Sequence, residues 1–151
     1  MRCSAGWLKE VFERGIEGVI FDDGATYQVA TIPAIVLLKF IAWDDRPEYR
    51  LKDLQDIAVI LDNYFHRFSD DIYDNHSDLF DNRELEEIAA YVIGRKIKSI
   101  IGDSADLKKR IIHILTDKQK AIAERLILKT EQGEADIVKV LQNLLDGILE
   151  K

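Results

Sequence analysis

The chain has 151 residues, enough for one domain whose core needs no disulfide or metal staple. Its 28 acidic and 21 basic residues leave a formal charge of −7, which argues against a small basic nucleic-acid binder held by phosphate contacts. The lone Cys3 excludes an intramolecular disulfide or multi-cysteine zinc site, and the longest apolar run, Ile32 to Trp43, is broken by Pro33 and Lys39 and is too short to span a bilayer.

The start of the chain, Met1 to Trp7, has no apolar core of a secretory signal. With a single cysteine, this predicts a soluble cytoplasmic protein without a membrane partner. Trp7 to Arg14 reads as a short helix stopped by Gly15. Val19 to Phe21 and Thr26 to Thr31 are β-prone, and Asp22-Asp23-Gly24 between them signals a hairpin. From Pro33 onward the pattern is helical. Pro33 suits the first turn of a helix through Trp43, and Asp44 to Glu48 reads as a turn around Pro47. Leu51, Leu54, Ile57, Ala58, Leu61, Tyr64 and Phe65 recur at helical spacing.

Asp81 and Glu84 resemble a capping box before a long helix striped by Leu85, Ile88, Val92, Ile97 and Ile100 and ended by Gly102. A further helix follows Asp103 or Ser104. Another opens at Thr116-x-x-Gln119 and closes at Gly133. The last carries Ile137, Leu141, Leu144, Leu145 and Ile148. The expected fold class is mainly α: residues 1–32 form a helix-plus-hairpin leader, and residues 33–151 a helical bundle. Two strands make no stable sheet alone in water, so the leader either packs on the helices or continues a larger sheet.

The segment Ile32 to Asp56 carries the most chemistry. Residues 34–43 are apolar on nearly every face, so that helix is buried, with Lys39 at its middle. A buried ammonium is costly unless paired or placed at a wet cleft. Asp53 and Asp56 are three apart on the next helix and share a face, and Lys52 lies four from Asp56. Lys39, Asp53 and Asp56 are therefore expected to lie together. A lysine, an arginine and two carboxylates converging across a helical turn can grip a phosphate or organise a nucleotide. On pattern alone a structural ion pair is the favoured reading, because such networks are common.

This stretch resembles the later motifs of the AbiEii/AbiGii-type nucleotidyltransferases, a family of bacterial toxins and related proteins. The resemblance rests on Pro33, Leu38, Lys39, Ala42, Trp43, Arg46, Lys52, Asp53 and Asp56, and continues through Tyr64, Ile72 to Leu79, and Ala89 to Lys96. It implies the helical C-terminal part of an α+β fold with a polymerase-β-like core. It also implies Mg²⁺-dependent transfer of a nucleotidyl group from an NTP, with RNA such as tRNA ends, or a protein, as acceptor. By the same resemblance Asp53 is an essential carboxylate and Lys39 contacts the triphosphate. Asp56 stands beside them, and Arg46 and Lys52 support the nucleotide. The family's metal-binding Asp-x-Asp and Gly-Ser turn lie upstream of these motifs and have no counterpart in the chain. The expectation is thus a nucleotidyltransferase remnant that is inactive alone, holds no metal itself, and is completed by a partner bearing the core or by self-association.

The rival reading is a non-enzymatic helical interaction module with a structural Lys–Asp cluster. A weaker one is an RNA binder using residues 95–129, which hold ten basic and four acidic residues. Without aromatic interleaving that stretch reads more simply as solvated helix surface. Residues 70–87, with eight acidic residues and Arg83 as their only basic one, read as a solvated acidic surface. Asp74, His76 and Asp78 occupy calcium-loop offsets, but Leu79 replaces the required glycine and Leu85 the final glutamate, so no EF-hand forms. His113 reads as a core or boundary histidine, and Asp22-Asp23 and Asp44-Asp45 as turn aspartates.

Overall fold

The computed structural model describes residues 6–126 and 134–150. Among these residues the chain is mainly helical, with one two-stranded antiparallel hairpin. Helix α1 (Gly6–Arg14) ends at Gly15, whose N–H donates to Val11 O at 2.7 Å. Strands β1 (Ile16–Ile20) and β2 (Thr26–Ala30) pair from Ile16 with Ala30 to Ile20 with Thr26. β1 thus begins before the expected Val19, and Phe21 belongs to the connection. The Thr31 N–H donates to Gly15 O at 2.7 Å, so main-chain pairing runs to the base of the hairpin despite Gly18. Val11 and Ala30 join the core, while Phe12, Ile20, Phe21 and Tyr27 are exposed.

Helix α2 (Ile32–Asp45) starts at an N-cap Thr31 whose hydroxyl accepts from the Ala34 N–H at 3.4 Å, with Pro33 in the first turn. Ala34, Val36, Leu37, Phe40, Ile41 and Trp43 are all buried, and α2 packs against three other helices. These are α3 (Leu51–Arg67), α5 (Leu85–Ile101) and α6 (Ala105–Asp117). Each large side chain so buried contributes about 1.5–3 kcal/mol of transfer free energy. The remaining helices are α4 (Ser69–Asn75), with a 3₁₀ turn at Ser77–Leu79, α7 (Gln119–Arg125) and α8 (Glu134–Leu149).

Several local expectations are corrected. Asp81 does not cap α5. Its carboxylate accepts from the Asn82 N–H at 2.7 Å and from Arg83 at 2.9 Å, and the helix begins only at Leu85. Thr116 is not a cap either: α6 runs on through Asp117, and the Thr116 hydroxyl donates back to Ile112 O at 2.8 Å. α7 ends at Arg125, and the expected stop at Gly133 lies outside the described residues. Asp44 and Asp45 are the last residues of α2 rather than turn residues. Arg110 pairs with both, and Lys118 with Asp44, so cations from α6 and the α6–α7 corner neutralise acids at a helix C-terminus that disfavours them.

The acidic stretch is not simply solvated. Asp71 pairs with Lys96 at 2.9 Å, and Asp78 with Arg95. Arg95 also holds Glu150 through Nε at 2.7 Å, and lies 5.0 Å above the Tyr91 ring. His113 is exposed, 2.7 Å from Asp117, one turn further along α6.

Gly102 ends α5 at φ 54°, in the left-handed region that glycine adopts without strain. Gly94 has a different reason. A Cβ there would lie 2.3 Å from Leu144 O and 3.0 Å from the Gly147 Cα, and a Cβ at Gly147 would lie 2.3 Å from Tyr91 O. The backbones of α5 and α8 touch at this crossing, and neither main chain can yield cheaply. Gly94→Ala is expected to lower stability by at least about 2 kcal/mol, measured by urea unfolding, because overpacking here pushes two helices apart.

Candidate functional site

The site lies where α2 and the first turn of α3 run side by side, joined by the short segment 46–50. α2 can bury its apolar residues on all sides only if Lys39 finds an exit. It finds one beside the N-terminus of α3, where its side chain keeps 26% exposure. Its ammonium donates to Asp53 Oδ1 at 3.2 Å and to Asp56 Oδ2 at 2.8 Å. Asp53 is 5% exposed and sits in the first turn of α3, where the helix dipole favours a negative charge. Its other oxygen, Oδ2, accepts from Arg50 Nε at 2.6 Å.

These side chains line a cleft of about 320 Å³ together with Lys52 and Tyr49. Three cations, Lys39, Arg50 and Lys52, stand against two carboxylates, so the lining is net positive by one charge. The bond to Asp56 holds the Lys39 ammonium above its ordinary range, against the opposing effect of partial burial. The same bond holds the Asp56 carboxyl below the usual carboxylate range. The ammonium is therefore a fixed positive charge at any physiological pH.

Of the residues singled out in the sequence, Lys39, Lys52, Asp53 and Asp56 share the cleft. Arg46 does not line it. It caps the C-terminus of α2 through its backbone N–H, with its side chain exposed. Arg50 takes the place expected of Arg46, and Tyr49 joins the rim. The signal for Arg50 was its spacing, three residues before Asp53. Both Asp53 oxygens are taken by cations, and Asp56 faces Lys39, so this donor set does not suit a divalent ion. No group of three or more His, Cys, Asp or Glu side chains able to hold a metal occurs among the described residues. No helix among them is long and apolar enough to cross a membrane.

Lys39→Met is expected to lower stability by about 1–3 kcal/mol, because it leaves buried Asp53 with Arg50 as its remaining cation. The share carried by the Lys39–Asp56 pair has a defined pH window. It is fully present between the ordinary values of 3.8 for the carboxyl and 10.5 for the ammonium. It is lost as pH falls through the lowered pKa of Asp56, and again as pH rises through the raised pKa of Lys39. Urea unfolding of the native chain and of Asp56→Asn across pH checks this: their difference should be flat at neutral pH and shrink at both extremes.

Compared with protein families, with curated proteins and with solved structures, the chain matches none.

Proposed function

We propose that this chain supplies the nucleotide-side part of a nucleotidyltransferase-like protein, and that it is inactive by itself. One observation carries the reading. A lysine in a buried helix is held by two carboxylates at the edge of a net-positive cleft, and the same residues carry the family resemblance. In phosphoryl transfer the protein mostly positions groups and neutralises charge. Lys39 would meet the triphosphate as a point charge, with Arg50 and Lys52 adding donors at the rim. In this reading Asp53 is a positioning residue: it aims Lys39 and Arg50 and touches no substrate. The cleft's carboxylates do not fit Mg²⁺, so carboxylates outside these residues would provide the metal clamp that in-line transfer needs.

The rival interaction-module reading draws on a separate observation: the exposed Ile20, Phe21 and Tyr27 at the hairpin, with Phe12 exposed on α1. In the favoured reading that same surface is where the completing core docks and extends the two-stranded sheet. An RNA-binding role for residues 95–129 is the weakest. Arg95, Lys96, Arg110 and Lys118 are all committed to carboxylates of this chain.

The chain is expected to bind ribonucleoside triphosphates in equilibrium dialysis. Lys39→Gln and Arg50→Gln should each weaken binding about tenfold, the effect of losing one charge-assisted contact. With Mg²⁺ and labelled NTPs it should transfer nothing to tRNA or to itself. Unchanged affinity in Lys39→Gln would remove the nucleotide assignment. Transfer by the isolated chain that Asp53→Ala abolishes would show that no completing partner is required.

The hairpin surface is tested separately. Sedimentation at rising concentration should show the chain associating through this patch when the core is missing, and Phe21→Asp should weaken that association. A strictly monomeric profile that Phe21→Asp leaves unchanged would count against docking there.

A further inference from the structure

Two aromatic rings stand in solvent where α4 and the 3₁₀ turn pack beside α3. Tyr73, on α4, is 59% exposed, and Phe80, just after the 3₁₀ turn, is 40% exposed. They stack on one another with centroids 5.0 Å apart and planes 9° from parallel. Phe65, buried on α3, meets both rings edge to face, with centroids 6.0 Å away in each case. Each exposed ring also follows an anchored neighbour, since Ile72 and Leu79 are buried in the core. Single exposed apolar residues are ordinary on a surface. A stacked pair braced by a third ring is different: it is a rigid apolar ledge that loses little freedom when something binds it.

The ledge lies in an acidic part of the chain. Residues 62–87 hold nine carboxylates and two cations, Arg67 and Arg83. Arg95 and Lys96 reach over from α5 to Asp78 and Asp71, and Arg83 pairs with Asp81, which still leaves an excess of negative charge. Asp70 and Asp74 are exposed, lie one turn apart on α4 beside Tyr73, and make no ion pair among the described residues. Arg67, the last residue of α3, pairs with neither.

Aromatic rings framed by uncommitted carboxylates match one kind of side chain. The guanidinium of arginine is flat enough to lie on a ring, stays charged at any physiological pH and can fork onto a carboxylate. Lysine offers the charge without the plane, and a polyanion such as RNA is repelled by this surface.

We propose that the Tyr73–Phe80 ledge docks an arginine-bearing basic segment of a partner protein. The guanidinium lies against the rings, and Asp70 and Asp74 take its charge. The surface shares no residue with the Lys39 cleft or the hairpin, and it does not rest on the nucleotide reading.

The probe is the peptide acetyl-Gly-Arg-Ala-Gly-Arg-Ala-amide, with a twin in which citrulline, a neutral urea of the same shape, replaces arginine. Both are titrated into the full chain and followed by NMR at an ionic strength of about 0.1 M, where distant charges are screened. The arginine peptide should bind with a dissociation constant of about 1 mM or tighter, and the citrulline twin at least about fivefold more weakly. Tyr73→Leu and Asp74→Asn should each weaken the arginine peptide about threefold or more. Tyr73→Phe, which keeps the ring, and Asp106→Asn, an equal loss of charge at an exposed position on α6, should leave it unchanged. Equal binding of the two peptides would overturn the proposal. So would no binding at about 10 mM peptide, or binding that either Tyr73→Leu or Asp74→Asn leaves unchanged. Self-association of the chain that Tyr73→Leu abolishes would give this face to a second copy and overturn it as well. If Tyr73→Leu fails to fold, Asp74→Asn and the citrulline twin decide the matter.

Discussion

A helix packed on all sides can carry a charge only where its surroundings leave a gap to water. α2 is such a helix, and Lys39 marks its gap. The rest of the arrangement follows from that constraint. α3 must present its first turn beside Lys39, since a half-buried ammonium needs carboxylates within bonding distance. Asp53 meets the need in the first turn of α3, where the backbone dipole also welcomes negative charge, and Asp56 follows three residues on along the same face. The cation left over at the cleft is then a consequence of the packing: Arg50 and Lys52 flank the same turn, and two carboxylates cannot neutralise three cations.

Around this centre, the peripheral helices bury apolar side chains in the common core, and ion pairs between distant parts of the chain tie them further. Arg95 joins Asp78, after α4, to Glu150, after α8. Arg110 and Lys118 hold the C-terminal end of α2. Exposed pairs of this kind are worth little singly, but bidentate and partly buried arginines specify which element lies where. The α5–α8 crossing uses the opposite device: Gly94 and Gly147 remove side chains so that two backbones touch.

The hairpin is the element least absorbed by the helices. Its base is buried through Ala30 and closed by the Thr31 to Gly15 bond, while its far end keeps aromatic side chains in solvent. Phe21 and Tyr27 pack edge to face, with centroids 4.9 Å apart. A cavity beside Tyr64 lies at the hairpin's other end, where Arg14, Glu17, α2, α3 and α5 meet without filling the space between them.

The amino-acid pattern alone was enough to place most helices, the hairpin and the buried character of α2, because these depend on spacing between residues close in the chain. It also pointed to Lys39, Asp53 and Asp56 together. A lone lysine in an apolar helix demands carboxylates, and the next helix offered two on one face. Tertiary structure alone decided which charge meets which. Arg50 rather than Arg46 reached Asp53, because α2 continues to Asp45 and leaves Arg46 at its C-cap while Arg50 opens the first turn of α3. Asp44 and Asp45 found cations more than sixty residues away, and the acidic segment docked on α5. The contact of Gly94 with Gly147 also exists only once distant helices have docked. Local periodicity records which face of an element is apolar; the pairing of faces depends on packing geometry that no short window of residues contains.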